Sequence, residues 1–274
     1  MKKNFPDSWY SSKIKSKGFK NLDRWNFTNG LRKVFYQAKA NDHAAFWSGT
    51  ATSPDFKNVI KNTDPTTFKT LTDAGQEIRF IFDRRINSFI NLNVYLFNAE
   101  YSDSGLKIEI QVNPEFSQDE ARGHAEKYAI VIGQLPKALR LRVEKVWIHD
   151  GKQPFGGANN SLLIHVQQGD DYINNGILEE IIFHEACHTS LDGLYANNPN
   201  WINSQKKDNN YISTYAKDFP EREDMAESFL PYFAVTYRKD RISLNTYNKI
   251  ISTIPNRIKF FDSLNLDMSP YKRS

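Results

Sequence analysis

Two histidines four residues apart, with a glutamate directly after the first, form the stretch best suited to chemistry: His184-Glu185-Ala186-Cys187-His188. On a helix, residues four apart share a face, one turn above the other. Both imidazoles can therefore reach one cation at the roughly 2.0–2.1 Å that zinc requires. Glu185 does not bind the metal in such an arrangement; it takes a proton from metal-bound water, whose pKa zinc lowers toward about 7. With six histidines in the chain, chance yields this pattern in roughly one sequence in a hundred. Two hydrogen-bonded core histidines are the plainer alternative, but they give the glutamate between them no role. Cys187 lies about 100° round the helix from His188. It reads as a small buried residue, because no independently placed base would make it a nucleophile.

A catalytic zinc site needs a third protein ligand and an open fourth position. The stretch from Glu221 to Phe229 offers four carboxylates. Glu223 and Glu227 are four apart and face the same way, so one can ligate the metal while the other accepts the N–H of a ligating histidine. Glu223 is the expected ligand, with Glu221, Asp224 and Glu227 as alternatives and Asp192 behind them. A solvated acidic face at a helix start is the competing reading. Asp192, four residues after His188, either orients that histidine or ends its helix.

These residues need elements to hold them. Ile177, Ile181, His184, His188 and Leu191 share one helical stripe, and Gly193 is placed to cap it in a left-handed conformation. Pro220 suits the first turn of a helix running to about Tyr237. Upstream, Glu77–Phe82 alternates with Ile78, Phe80 and Phe82 on one face, and Leu31–Tyr36 is another candidate strand. Asn91–Ala99 and Leu106–Val112 should form an antiparallel hairpin around a turn at 101–105. Ser117 and Glu120 form a capping box for a helix that buries Ala121, Ala125, Tyr128, Ala129 and Ile132 and is closed by Pro136. Val143–Ile148 and Leu162–Val166 read as strands around a glycine-rich connection, 151–160. Helices are expected at Asn198–Lys207, Leu244–Thr253 and Asn256–Leu264. Strands first and helices later predict an α+β chain: a basic arm at 1–30, a β-rich region at 31–116 and a catalytic region at 117–274.

The 274 residues, 39% apolar and 14% aromatic, can bury a sizeable core. A net charge of +4 is too weak to imply nucleic acid as a partner. Lys2, Lys3, Lys13, Lys15, Lys17 and Lys20 read as a solvated arm. One cysteine excludes an intramolecular disulfide. No apolar run is long enough to span a membrane, and residues 1–20 hold no signal-peptide core, so a cytoplasmic protein, or a secreted one whose leader has been removed, is expected. His149 and His165 alternate with apolar neighbours and read as hydrogen-bonded structural histidines; His43 and His124 carry no pattern.

The segment from Leu178 to Asp192, together with Glu223-Asp-Met-Ala-Glu-Ser-Phe229, resembles the gluzincin branch of zinc metallopeptidases. The second segment is similar to the ligand helix of lethal-factor-type peptidases and related bacterial zinc-binding peptidases. The likeness covers roughly residues 162–233. It implies a zincin-like catalytic domain with a mixed sheet, one Zn2+ held by His184, His188 and Glu223, and hydrolysis of a peptide or protein substrate. It also implies a tyrosine before the ligand helix that stabilises the oxyanion. Tyr211 and Tyr215 are the candidates, Tyr215 the nearer, although its interval to Glu223 is one residue longer than in lethal-factor-type chains. Leu162–Val166 would then be the edge strand along which an extended substrate pairs; an ordinary core strand is the other reading. Against the peptidase stands a different class, a non-catalytic zinc-containing module whose N-terminal β-rich region binds a partner. Glu185 favours the enzyme, since a structural site has no use for a base.

Overall fold

A computed structural model describes residues 45–102 and 105–273. The basic arm, the Leu31–Tyr36 strand and His43 lie outside the described residues. The chain is mixed α/β, built on one six-stranded mixed sheet in the order β1-β2-β3-β4-β6-β5. β1 (Phe68–Asp83) and β2 (Ser88–Tyr101) form a long antiparallel hairpin, and β3 (Lys107–Val112) pairs antiparallel with β2 as expected. β1 begins well before Glu77. Its first half is mostly exposed, with Leu71 alone buried, and carries a register shift between Asp73 and Gln76, where Gly75 has a positive φ, so no alternation marks it. Ile78 and Phe80 point into solvent, whereas Phe82 is buried with Phe89 and Trp147.

Helix α1 (Gln118–Gly133) starts at the Ser117–Glu120 capping box and buries the expected stripe against the sheet. A short α2 (Lys137–Arg140) leads into β4 (Lys145–His149), which lies parallel to β3. Strands on both sides of Ser117 thus belong to one sheet. The glycine-rich connection contains a strand of its own, β5 (Gly156–Ala158). It turns through Asn159 and Asn160, both at positive φ, into β6 (Ser161–His165). Because β6 pairs with β4 on one side and β5 on the other, it is an interior strand. The edge position considered for Leu162–Val166 belongs to β5, whose three residues are themselves buried, and Val166 starts the next helix. His149 is hydrogen-bonded as expected, to the Phe82 carbonyl and Asn113. His165, stacked beside it, is fully buried, but neither ring nitrogen has a hydrogen-bonding partner among the described residues. Burial pushes it down to about 3 and keeps it neutral.

Helix α3 (Val166–Asn175) ends at Gly176 in a left-handed cap, and α4 (Leu178–Cys187) follows. α4 does not stop at Asp192. It widens into a π-helical turn, His188–Asp192, and runs on through Gly193–Tyr195. Gly193 therefore has right-handed helical φ and ψ and is not the cap expected of it. α5 (Pro199–Asp208) and α6 (Thr214–Asp218) lead to α7 (Asp224–Tyr237), and α8 (Leu244–Thr253) and α9 (Pro255–Ser263) close the chain. α7 begins four residues after Pro220, because the Phe219 carbonyl accepts the N–H groups of both Arg222 and Glu223 in a separate turn. Among the described residues no helix is long and apolar enough to cross a membrane.

Phe183 on α4 packs between Phe229 and Phe233 of α7, and this buried aromatic contact sets how the two helices meet. One turn before His184, the fully buried Glu180 accepts the Ile60 N–H at 3.1 Å and ties the loop at 56–60 to α4. Burial raises the Glu180 carboxyl from 4.5 to about 8. The native state thus holds one more proton than the unfolded chain between those values, so stability falls as pH rises through this window and levels off above it. Glu180→Gln should remove up to roughly 1.4 kcal/mol per pH unit of that slope. Urea unfolding of both proteins in chelator from pH 4.5 to 9 measures the difference; parallel curves would refute it.

Candidate metal centre

The π turn at the end of α4 and the start of α7 bring the candidate ligands together. His184 and His188 present their Nε2 atoms to one another at 3.0 Å. Glu223 places Oε2 at 3.0 Å from His188 Nε2 and 3.5 Å from His184 Nε2. The three side chains are buried, and their donor atoms lie within 4.8 Å of one another, a group that could hold a metal ion. Two imidazole nitrogens and a carboxylate oxygen, all aimed at one point, are a donor set suited to a divalent cation.

Each histidine is oriented from behind. His184 Nδ1 lies 3.3 Å from Glu227 Oε1, and His188 Nδ1 lies 2.9 Å from Asp192 Oδ2. The Asp192 hydrogen bond fixes the tautomer and ring angle of His188 and raises its basicity, while the Glu227 carboxylate faces His184 Nδ1 as a charge at ion-pair distance. Asp192 therefore orients a histidine and does not end the helix. Glu221 is exposed, and Asp224 turns away toward Arg257. Three carboxylates thus surround the His184 ring. Burial opposes a charge on it, but the hydrogen bond to Glu223 and the charges of Glu227 and Glu185 outweigh burial and push it up to about 9. The same carboxylates favour positive charge at this point.

Glu227 is itself fixed from a distance. Pro231 has no N–H to offer the Glu227 carbonyl four residues back. That carbonyl instead accepts from Thr50 Oγ1 at 3.2 Å, while the Thr50 N–H donates to Glu227 Oε2 at 2.8 Å. The same strap lies along α6: the Trp47 and Ser48 carbonyls accept the N–H groups of Thr214 and Tyr215. It sets Tyr215, whose ring stacks on His184 at 6.4 Å between centroids. Burial and the charges of Glu223, Glu185 and Glu227 raise the Tyr215 phenol well above its ordinary value, so it stays a donor. Tyr211 lies elsewhere, with Arg257 over its ring.

Glu185 is half-buried between buried neighbours. Its backbone sits against β5: a Cβ on Gly157 would lie 1.8 Å from the Glu185 carbonyl oxygen and 2.9 Å from Thr189 Oγ1. Only glycine permits this approach. Thr189 ties the same turn to the sheet by donating to the Ser161 carbonyl. Cys187 is fully buried, and burial raises its thiol well above 9.0, as befits a packing residue.

Two contributors carry no signal in the sequence. Thr50 stands in an irregular polar stretch. Arg84, in the β1–β2 turn and 9% exposed, interacts electrostatically with Glu185, Tyr172, Tyr215 and Glu223. Burial lowers its pKa, and those neighbours oppose the shift. No known protein family, curated protein or solved structure matches the chain.

Glu227→Gln should weaken metal affinity by roughly 10- to 100-fold, because His184 loses its orienting charge; competition with a chromophoric chelator measures it. Gly157→Ala should lower stability by about 1–3 kcal/mol and weaken metal binding as α4 is pushed off β5. An unchanged melting temperature would show that this contact does not set the helix position.

Proposed function

We propose that the chain is a zinc-dependent metallopeptidase with a zincin-like catalytic domain, similar to lethal-factor-type gluzincins. The observation that carries this reading is the convergence of His184, His188 and Glu223 on one point, with Glu185 next to the first histidine and not among the converging groups. A purely structural zinc site is normally closed by four protein ligands, often cysteines. Here the three-residue group contains no cysteine, and the chain's one cysteine faces the core.

His184, His188 and Glu223 would hold the ion, with Glu227 and Asp192 fixing the two rings. Zinc bound there supplies Lewis acidity toward a substrate carbonyl and makes water more acidic. Glu185 acts as general base, taking the proton from the attacking water, and then as acid, passing it to the leaving amine. The Tyr215 phenol donates a hydrogen bond to the oxygen on which negative charge develops. Arg84 adds a buried positive charge to the same region. The substrate is a peptide or protein; nothing in the charge balance favours nucleic acid.

Purified protein should contain about one zinc per chain, lost in His184→Ala. Glu185→Gln should keep the zinc and lower kcat by roughly 10²- to 10⁴-fold on any substrate found in a zinc-dependent screen of a peptide library. Full activity in Glu185→Gln would overturn the mechanism. Zinc without cleavage of any peptide would favour the non-catalytic module.

A further inference from the structure

The ligand Glu223 stands at the N-terminal boundary of α7, where, among the described residues, no side chain caps the helix. Helix ends lacking a cap leave N–H groups unsatisfied and fray. A metal ligand at such an end would lose its position unless something else held the turn.

The next residue supplies the hold. Asp224 Oδ2 accepts from Arg257 Nε at 2.9 Å and from Gln205 Nε2 at 2.7 Å, and its Oδ1 accepts from Ser228 at 3.2 Å. Arg257, on α9, reaches the other way as well: its Nη1 donates to Asp208 Oδ2 at 3.0 Å. Asp208, at the end of α5, also accepts the backbone N–H groups of Asn256 and Arg257. All three charged side chains are 0% exposed. One guanidinium therefore joins α5, α7 and α9, one residue away from Glu223.

This cluster is a poor device for stability alone. It desolvates two carboxylates against one cation, and buried ion pairs of this kind often stabilise no better than apolar residues of the same volume. Its geometry, in contrast, is specific. Nε and Nη1 bond two carboxylates in fixed, divergent directions, which a lysine ammonium on a flexible stem cannot reproduce. We infer that Arg257 is a positioning residue for the metal centre: by clamping Asp224 to Asp208 it fixes the start of α7 and holds the Glu223 carboxylate against His184 and His188. The inference rests on the metal-centre reading above and extends it to the C-terminal helix.

The test is zinc affinity, measured by chelator competition well below the melting temperature, in the full chain and in Arg257→Lys and Gln205→Met. Arg257→Lys should bind zinc about 10-fold or more weaker, with the far-UV circular dichroism of the metal-free protein unchanged. Gln205→Met, which removes one of the bonds to Asp224, should show a smaller loss in the same direction. A merely structural role would lower the melting temperature and leave the affinity of the folded protein as it was; that result overturns the inference. Should Arg257→Lys fail to fold, Gln205→Met decides, and parental affinity there overturns it. A parent chain that binds no zinc defeats the metal reading itself, and the inference with it. Zinc binding in the parent with equal affinity in the variants defeats the inference alone.

Discussion

The packing of α4 against α7 is the constraint on which the site depends. Phe183 lies between Phe229 and Phe233, all three inaccessible to solvent, and this contact brings the two helices together. Apolar burial of this kind is strong but non-directional. It brings the histidines and Glu223 to the same neighbourhood, and polar contacts then determine their angles. The π turn at His188–Asp192 belongs to this adjustment, since π-bulges in helices recur at functional sites.

The polar contacts form a nested set. The histidines and Glu223 face one another, Glu227 and Asp192 brace the rings, and Thr50 braces Glu227 through both its backbone and its side chain. A carboxylate left buried without such partners would be costly. The Thr50 bonds lower the cost for Glu227, and the same threonine satisfies the carbonyl that Pro231 orphans. The proline thus turns a helix defect into an anchoring point for a segment 177 residues away in the chain.

The sheet constrains the other side of α4. Gly157 on the edge strand allows the Glu185 backbone to approach more closely than any side chain would permit, and the Thr189 hydroxyl fastens the turn to β6. The edge strand is buried by this approach, so close seating of the helix takes precedence over an open strand edge. Distal to the site, Arg257 links α5, α7 and α9 through one buried guanidinium, alongside the Gln205–Asp224 and Asp208–Asn256 hydrogen bonds.

What the sequence determined by itself were features of short range. The four-residue spacing of His184 and His188, the pairing of Glu223 with Glu227 and the Ser117–Glu120 capping box follow from helix geometry, which local spacing encodes. The β2–β3 hairpin and the stripe on α1 were legible for the same reason. Only the tertiary structure decided between Asp192 as brace and as helix end, which of Tyr215 and Tyr211 lies beside His184, and between edge and interior for β6. These choices depend on which elements become neighbours, and two apolar strands look alike until their partners are known. Thr50, Arg84 and Arg257 were invisible for the same physical reason: each acts across a contact between residues distant in the chain, and no local periodicity records such a contact.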